Sequence, residues 1–163
     1  GLMGVGKTTI GKKVAARLQL PFIDLDRYIE QQKNMSVPDL FAYFGENYFR
    51  KAEHECLQQI IQQESFVMAC GGGTPCFYEN MNLMNANGVT FFFDASPAFI
   101  ASRVKQSKTV RPLFKNATDE SRLKIVQALW CEREQFYSKA KHTLNVEKLS
   151  TEEVAQQVVA FLE

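Results

Sequence analysis

The chain has 163 residues, of which 45% are hydrophobic and 23% are charged, and its formal net charge is +1 at pH 7. This length and composition are typical of one soluble globular domain with a buried core. The small net charge gives no overall attraction to nucleic acid or to a membrane surface, and no apolar run approaches the ~20 residues of a membrane-spanning helix. We therefore expect a single domain over residues 1–163, without a nucleic-acid or membrane partner, and a monomer.

The first eight residues, GLMGVGKT, fit the pattern of a phosphate-binding loop: Gly, four residues, then Gly-Lys-Ser/Thr. Glycines let successive backbone N–H groups turn toward a polyphosphate, and the following helix directs its positive end at the anion. We predict that Lys7 reaches the β- and γ-phosphates and that the Thr8 hydroxyl coordinates Mg²⁺. The predicted ATP-binding residues of this loop are Gly4, Val5, Gly6, Lys7, Thr8 and Thr9.

Strands and helices are predicted to alternate along the rest of the chain. Short apolar runs predict strands at PFIDLD, SFVMAC, VTFFFD and HTLNV. The segments between them show helical spacing, with Ser36 as an N-cap, Gly45 at a helix end and a capping box from Ser150 to Glu153. This alternation predicts a three-layer α/β/α fold with a parallel sheet. Because a phosphate-binding loop follows a buried strand, we expect five strands, the first of them upstream of residue 1.

Two carboxylates, Asp24 and Asp26, end the first predicted strand. Ligands bind at the carboxyl ends of parallel strands, so this pair should lie beside the phosphate. Alternating positions point to opposite sides unless the strand breaks between them, which favours two separate roles. One carboxylate would hold water on Mg²⁺, and the other would take the proton of an acceptor hydroxyl. The alternative is that Asp26 merely caps the helix RYIE.

Three arginines and a glycine triplet are the other candidates for binding an anionic substrate. Arg50 and Arg133 are on predicted helices, where surface ion pairs, such as Arg50 with Glu46 or Glu53, are the ordinary alternative. Arg111 lies in the long polar stretch 105–119, which we predict to be a lid that closes over the γ-phosphate and excludes water. The triplet of Gly71, Gly72 and Gly73 directly follows a predicted strand and would let the backbone approach a ligand closely.

Two other nucleotide-binding patterns are not supported. VTFFFD imitates the strand that carries a metal-binding Asp, but Asp94 directly precedes a helix start, so a turn or capping role suffices. The chain contains neither Asp-x-x-Gly nor Asn-Lys-x-Asp, so a guanine base would have no specific partner. The four cysteines show no metal-ligand spacing and lie in apolar stretches, which predicts buried free thiols in a cytoplasmic protein.

Taken together, these segments resemble the shikimate kinases, small P-loop kinases of the nucleoside-monophosphate-kinase-like group. The resemblance covers nearly the whole chain and rests on GLMGVGKTT, FIDLD, GENYFRKAE, CGGGTP, RPLF and REQFYSKA. Two positions depart from the family pattern: the lid reads RPLF rather than RPLL, and Lys141 follows Ala140 where the family usually has an acidic residue.

The resemblance implies a function and a set of roles. The expected reaction transfers the γ-phosphoryl group of ATP to the 3-hydroxyl of shikimate, in the biosynthesis of chorismate and aromatic amino acids. The implied catalytic residues are Asp26 as the base, Lys7, and Arg111 in the lid, which also binds ATP. Thr8 and Asp24 would hold Mg²⁺, the latter directly or through water. The implied shikimate-binding residues, within an acceptor region over 27–54 and the later motifs, are Asp26, Arg50, Gly71, Gly72, Gly73, Arg133, Phe41 and Phe49. The adenine site is expected near Arg103 and residues 145–149.

Two other functions remain open from the residues alone. A gluconate- or nucleotide-type P-loop kinase would share the donor loop but would not need two carboxylate-binding arginines. A non-catalytic ATP-binding switch or an ATPase would bind nucleotide without releasing ADP in response to an acceptor.

Overall fold

A computed structural model of the chain describes residues 1–106 and 112–162. Helices and strands alternate in these residues as predicted. The strands are β1 (Phe22–Asp24), β2 (Val67–Ala69), β3 (Phe91–Asp94) and β4 (His142–Asn145). The helices are α1 (Lys7–Leu18), α2 (Leu25–Lys33), α3 (Val37–Ile60), α4 (Asn80–Asn87), α5 (Pro97–Gln106), α6 (Asp119–Tyr137) and α7 (Thr151–Ala160). Short 3-10 helices cover Thr74–Cys76 and Pro112–Phe114.

The strands form two parallel pairs. β1 pairs with β2 so that Asp24 lies opposite Ala69, and β3 pairs with β4 so that Phe91 lies opposite His142. Within the described residues the two pairs share no ladder, and a cavity of about 420 Å³ lies between β2 and β3. The predicted parallel arrangement is therefore present in each pair. The fifth predicted strand falls before residue 1 and stays a prediction.

Two of the three hydrophobic clusters in the described residues flank the site, while the third, smaller one is formed by Leu57, Met81 and Met84. These two are called the first and second cluster. The first contains buried residues from α1, α5, α6 and α7 and from β3 and β4, and it anchors the phosphate loop through Leu2 and Val5. The second contains residues of α2 and α3 and anchors the predicted acceptor region through Leu25 and Phe49. The predicted site takes side chains from both sides, with Lys7 on α1 and Arg133 on α6 next to the first cluster and Arg50 on α3 next to the second.

The predicted helix boundaries at Ser36, Gly45 and Ser150 are confirmed. The Ser36 hydroxyl accepts the Asp39 N–H at 3.2 Å. Gly45 interrupts α3 with φ 80° and ψ 173°, a conformation that a side chain would strain. Ser150 and Glu153 form a reciprocal capping box at the start of α7. None of the helices in the described ranges is long and apolar enough to cross a membrane.

Candidate active site

The phosphate loop wraps around the side chain of its own lysine. Gly6, at φ 95°, is the N-cap of α1, and the loop before it is fixed by the buried side chains of Leu2 and Val5. The Lys7 ammonium donates hydrogen bonds to the carbonyl oxygens of Gly1 and Leu2, both at 2.8 Å. The loop therefore places a cation and a helix N-terminus at one point, and both attract the negative charge of a polyphosphate.

Thr8 and Asp24 form the second part of the donor side. The Thr8 hydroxyl donates to Asp24 Oδ2 at 2.9 Å, and the other carboxylate oxygen of Asp24 accepts the Arg27 N–H at the start of α2. Because β1 ends at Asp24 and α2 begins at Leu25, the chain breaks between the two carboxylates. The capping role thus belongs to Asp24, and the alternative that Asp26 is the cap is wrong.

The three glycines after β2 each face a different side chain. A Cβ added to Gly71 would lie 3.2 Å from Asp26 Oδ1, and one added to Gly72 would lie 3.4 Å from an Arg133 terminal nitrogen. At Gly73 the added Cβ would lie 2.7 Å from the Arg50 Cζ, so a side chain there would have to displace the guanidinium. The glycine turn therefore brings together the three charged residues that the sequence predicted for the acceptor.

Asp26 has an environment suited to proton transfer. Burial, followed by the charges of Glu53 and Asp24, raises the pKa of Asp26 from 3.8 to about 6, while the positive charge of Lys7 opposes the shift. A carboxylate with a pKa near 6 is largely ionised at pH 7 yet is a better base than an ordinary aspartate.

Arg50 is not a surface residue, because only 7% of it is exposed. It donates to Glu46 Oε1 at 3.2 Å and to Glu53 Oε2 at 2.9 Å, so both ion pairs considered from the sequence exist. Its guanidinium also lies over aromatic rings, 4.4 Å from the centroid of Phe77, 5.2 Å from that of Phe49 and 5.8 Å from that of Phe41. The predicted apolar walls, Phe41 and Phe49, thus pack around the arginine rather than apart from it.

A buried polar network behind Arg50 was missed by the sequence reasoning. Glu53 is fully buried and also accepts the Thr74 hydroxyl at 2.6 Å. Asn80, itself buried, donates to the Thr74 carbonyl at 2.9 Å and lies 2.6 Å from His54 Nδ1. This network ties α3 to the end of the glycine turn and fixes the direction of the Arg50 guanidinium. The three-residue spacing of Arg50 and Glu53 indicated the ion pair from the sequence, but not its continuation to Thr74 and Asn80.

Arg133 and Tyr137 approach the glycine turn from α6. The Tyr137 hydroxyl donates to the Gly72 carbonyl at 2.5 Å, and Tyr137 is 1% exposed. The Arg133 Nε atom is buried and has no hydrogen-bond partner within residues 1–106 and 112–162. Among the ion pairs of these same residues none involves Arg133, so the surface ion pair that was the alternative to substrate binding is not observed there.

The donor and acceptor sides meet at the first residue of the loop. The Gly1 carbonyl that accepts from Lys7 lies 3.4 Å from the position of a Cβ on Gly72. The charge of Lys7 also reaches Asp26, as its effect on the aspartate pKa shows. A phosphate held by the loop and an acceptor held by the glycine turn would consequently be neighbours.

Three other sequence-based expectations have different outcomes. Arg111 lies outside the described residues, so its predicted lid role is not tested. The expectation of buried thiols is confirmed for Cys56, whereas Cys70 and Cys76 are only partly buried. It is wrong for Cys131, which is exposed because α6 buries Val126 and Tyr137 instead; all four cysteines are free. Lys141, which departs from the family pattern, donates to the Gly88 carbonyl at 2.8 Å and joins the start of β4 to the turn before β3.

The comparisons with known proteins agree with this geometry. The family model described as shikimate kinase matches residues 3–163. The chain belongs to the shikimate kinase family. A shikimate kinase of Phocaeicola vulgatus is 41% identical over 162 residues, which cover 99% of this chain and 93% of that protein.

Solved shikimate kinase structures have the same fold. The structure from Bacteroides thetaiotaomicron has a TM-score of 0.95 and 36% identity, covering 99% of this chain and 94% of that one. The Acinetobacter baumannii enzyme, solved in complex with shikimate, has a TM-score of 0.88 and 27% identity, covering 99% and 89%. The predicted family and P-loop kinase fold are thereby confirmed, and with them ATP as the phosphoryl donor and a small-molecule acceptor.

Proposed function

We propose that the chain transfers the γ-phosphoryl group of ATP to the 3-hydroxyl of shikimate, with Asp26 as the base for that hydroxyl. The observation that carries the proposal is the glycine turn, which gathers Asp26, Arg50 and Arg133 beside the loop that holds Lys7. Shikimate is a carboxylate with three hydroxyls, so it needs both guanidinium donors and a hydroxyl acceptor. Planar guanidinium groups bind a carboxylate through paired hydrogen bonds, which a lysine cannot match.

Each residue near the reacting atoms has a separate task. Asp26 accepts the proton of the 3-hydroxyl while the hydroxyl oxygen bonds to the γ-phosphorus and the bond to the β-phosphate oxygen breaks, releasing ADP. Lys7 neutralises charge on the phosphates. Arg50 and Arg133 hold the acceptor so that its hydroxyl is in line with the phosphorus, which lowers the entropic part of the barrier.

We propose that Mg²⁺ is held by Thr8 and Asp24 together with the phosphates of ATP. Hydroxyl and carboxylate oxygens are the ligands that Mg²⁺ prefers, and the 2.9 Å hydrogen bond between these side chains keeps them adjacent. Within residues 1–106 and 112–162 no cluster of three or more His, Cys, Asp or Glu could hold a metal ion. In the proposed site the phosphates of ATP supply the remaining ligands. When bound, the ion would supply charge neutralisation at the β- and γ-phosphates.

Three further proposals concern the lid, the adenine contacts, and the location and oligomeric state of the protein. We propose that Arg111 closes over the phosphates. Arg103 would lie near the adenine, because its Cβ is 3.4 Å from the position of a Cβ on Gly4 in the phosphate loop. We also propose a cytoplasmic location, since the four free cysteines suit a reducing compartment. The proposed oligomeric state is a monomer. Size-exclusion chromatography with light scattering tests the oligomeric state.

A substrate panel tests the function. Purified protein with ATP and Mg²⁺ is offered shikimate, gluconate, a set of nucleoside monophosphates, or no acceptor, and ADP release is measured. We expect ADP release with shikimate alone and negligible release without an acceptor. Asp26→Asn purified in the same way controls for contaminating kinases. Turnover of another acceptor without turnover of shikimate would overturn the proposal, and acceptor-independent ADP release would indicate an ATPase.

A further inference from the structure

Tyr137 contacts the acceptor side of the site through its hydroxyl, which interacts with both the Gly72 carbonyl and the Arg133 side chain. It lies one helical turn beyond Arg133 on α6, its ring packs on Phe92 with centroids 5.1 Å apart, and its hydroxyl donates to the Gly72 carbonyl at 2.5 Å. Arg133 and Tyr137 thus reach the same glycine from the same helix. The position of the glycine turn and the position of a substrate-binding arginine are thereby linked by one rigid element.

The bond to Gly72 also determines where the next N–H group points. The structure has no cis peptide among its described residues, so the carbonyl of Gly72 and the N–H of Gly73 point in opposite directions across one planar bond. Holding the carbonyl toward Tyr137 turns the Gly73 N–H away from it. Across the described residues this N–H makes no hydrogen bond, so it remains available to an acceptor oxygen.

The tyrosine is suited to permanent donation rather than to acid–base chemistry. Burial raises the pKa of Tyr137 above its ordinary value, and the charge of Arg133 opposes this only in part. The hydroxyl therefore keeps its proton throughout the working pH range. Glycines at 71, 72 and 73 have little conformational preference of their own, so the turn depends on outside contacts of this kind.

We propose that Tyr137 is a positioning residue for the acceptor, whose hydroxyl fixes the Gly72–Gly73 peptide so that the Gly73 N–H binds a substrate oxygen. The inference rests on the proposed function, because shikimate is the acceptor in question. Tyr137 does not touch the substrate itself. Its role is to keep the glycine turn and Arg133 in one arrangement before the substrate arrives.

Tyr137→Phe tests this role because it removes the hydroxyl and keeps the buried ring. We expect the KM and the calorimetric Kd for shikimate to rise about 10-fold, the effect of one lost hydrogen bond. The KM for ATP and kcat should stay within about 2-fold to 3-fold. Amide hydrogen exchange at residues 71–74 should speed up while exchange in α1 is unchanged. Tyr78→Phe is the matched control, since Tyr78 is 51% exposed and its hydroxyl makes no hydrogen bond in the described part of the chain.

The outcomes separate this proposal from the proposed function. Unchanged shikimate affinity and unchanged exchange at the turn would overturn it, as would an equal loss of affinity for both substrates, which indicates a general packing defect. If wild-type protein does not turn over shikimate, the proposed function fails. Faster exchange at the turn in Tyr137→Phe would still support the claim that the Tyr137 hydroxyl fixes the Gly72–Gly73 peptide. An independent measurement uses wild-type protein: the Gly73 amide proton resonance should move downfield on saturation with shikimate, and an unmoved resonance contradicts the proposal.

Discussion

At the scale of single residues, the chemistry depends on Asp26. It must be ionised to accept a proton, and its pKa is raised to about 6 chiefly by burial. We therefore expect kcat/KM for shikimate to be nearly constant above pH 7 and to fall about 10-fold for each pH unit below 6. The measurement is a pH–rate profile at saturating ATP. A profile that breaks near pH 4 instead would mean that the base has an ordinary carboxylate pKa.

Replacing this carboxylate should separate catalysis from nucleotide binding. Asp26→Asn keeps the size of the side chain and removes the base, so turnover should drop by about 10²–10⁴. The Kd for ATP, measured by calorimetry, should change little because the phosphate loop is intact. Asp39→Asn is a suitable control, since Asp39 is exposed at the start of α3. Normal turnover by Asp26→Asn would remove this residue from the mechanism.

The same substitution should increase stability at neutral pH. A raised pKa in the folded state means that folding favours the protonated carboxyl of Asp26 over the charged carboxylate. The free energy of unfolding is therefore highest below the unfolded pKa of 3.8, and it decreases as the pH rises toward 6. The shift from 3.8 to about 6 corresponds to at most about 3 kcal/mol. Urea unfolding should show Asp26→Asn more stable than wild type at pH 8, with the gain vanishing below pH 4. Equal stability at both pH values would contradict a buried, unfavourably charged Asp26.

At the scale of elements, α6 supplies the acceptor site with a guanidinium that cannot be exchanged for an ammonium. Arg133→Lys keeps the charge but loses the planar set of donors, so we expect the KM for shikimate to rise about 10-fold or more with the KM for ATP nearly unchanged. Arg17→Lys is the control, because Arg17 pairs with Glu152 between α1 and α7. Steady-state kinetics with each substrate varied in turn gives both constants. An unchanged shikimate KM would assign Arg133 to packing alone.

The elements themselves were largely predictable, because local signals decide them. Ser36, Gly45 and the capping box at Ser150 act within a few residues, and the structure confirms all three boundaries. The end of β1 was predictable only to within two residues, and that small error decides whether Asp24 or Asp26 is the helix cap. Neither aspartate could be assigned to the cap from spacing alone.

The arrangement of the site was less predictable, because contacts between distant segments create it. Arg50 looks like a surface residue in sequence, and it is buried because Glu53 pairs with it and Phe77 covers it. Glu53 in turn depends on Thr74, which is 21 positions away. Motifs identified the residue types in the site, whereas the partners that orient them come from packing.

At the scale of the whole molecule, the two hydrophobic clusters should unfold together. Strand β2 joins them, since Val67 packs against the first cluster and Met68 against the second. The site lies between the clusters and requires residues from both, so a ligand that binds it stabilises the entire chain rather than one part.

Calorimetry should therefore show one cooperative transition that shikimate or ATP with Mg²⁺ moves as a unit. At 100 times its Kd each ligand adds about 2.7 kcal/mol, a Tm increase on the order of 5–10 °C for a chain of this size. Gluconate, which offers a carboxylate without the shape of shikimate, is the control and should leave the Tm unchanged. Two transitions, of which shikimate moves only one, would show that the acceptor region 27–54 is a separate cooperative unit.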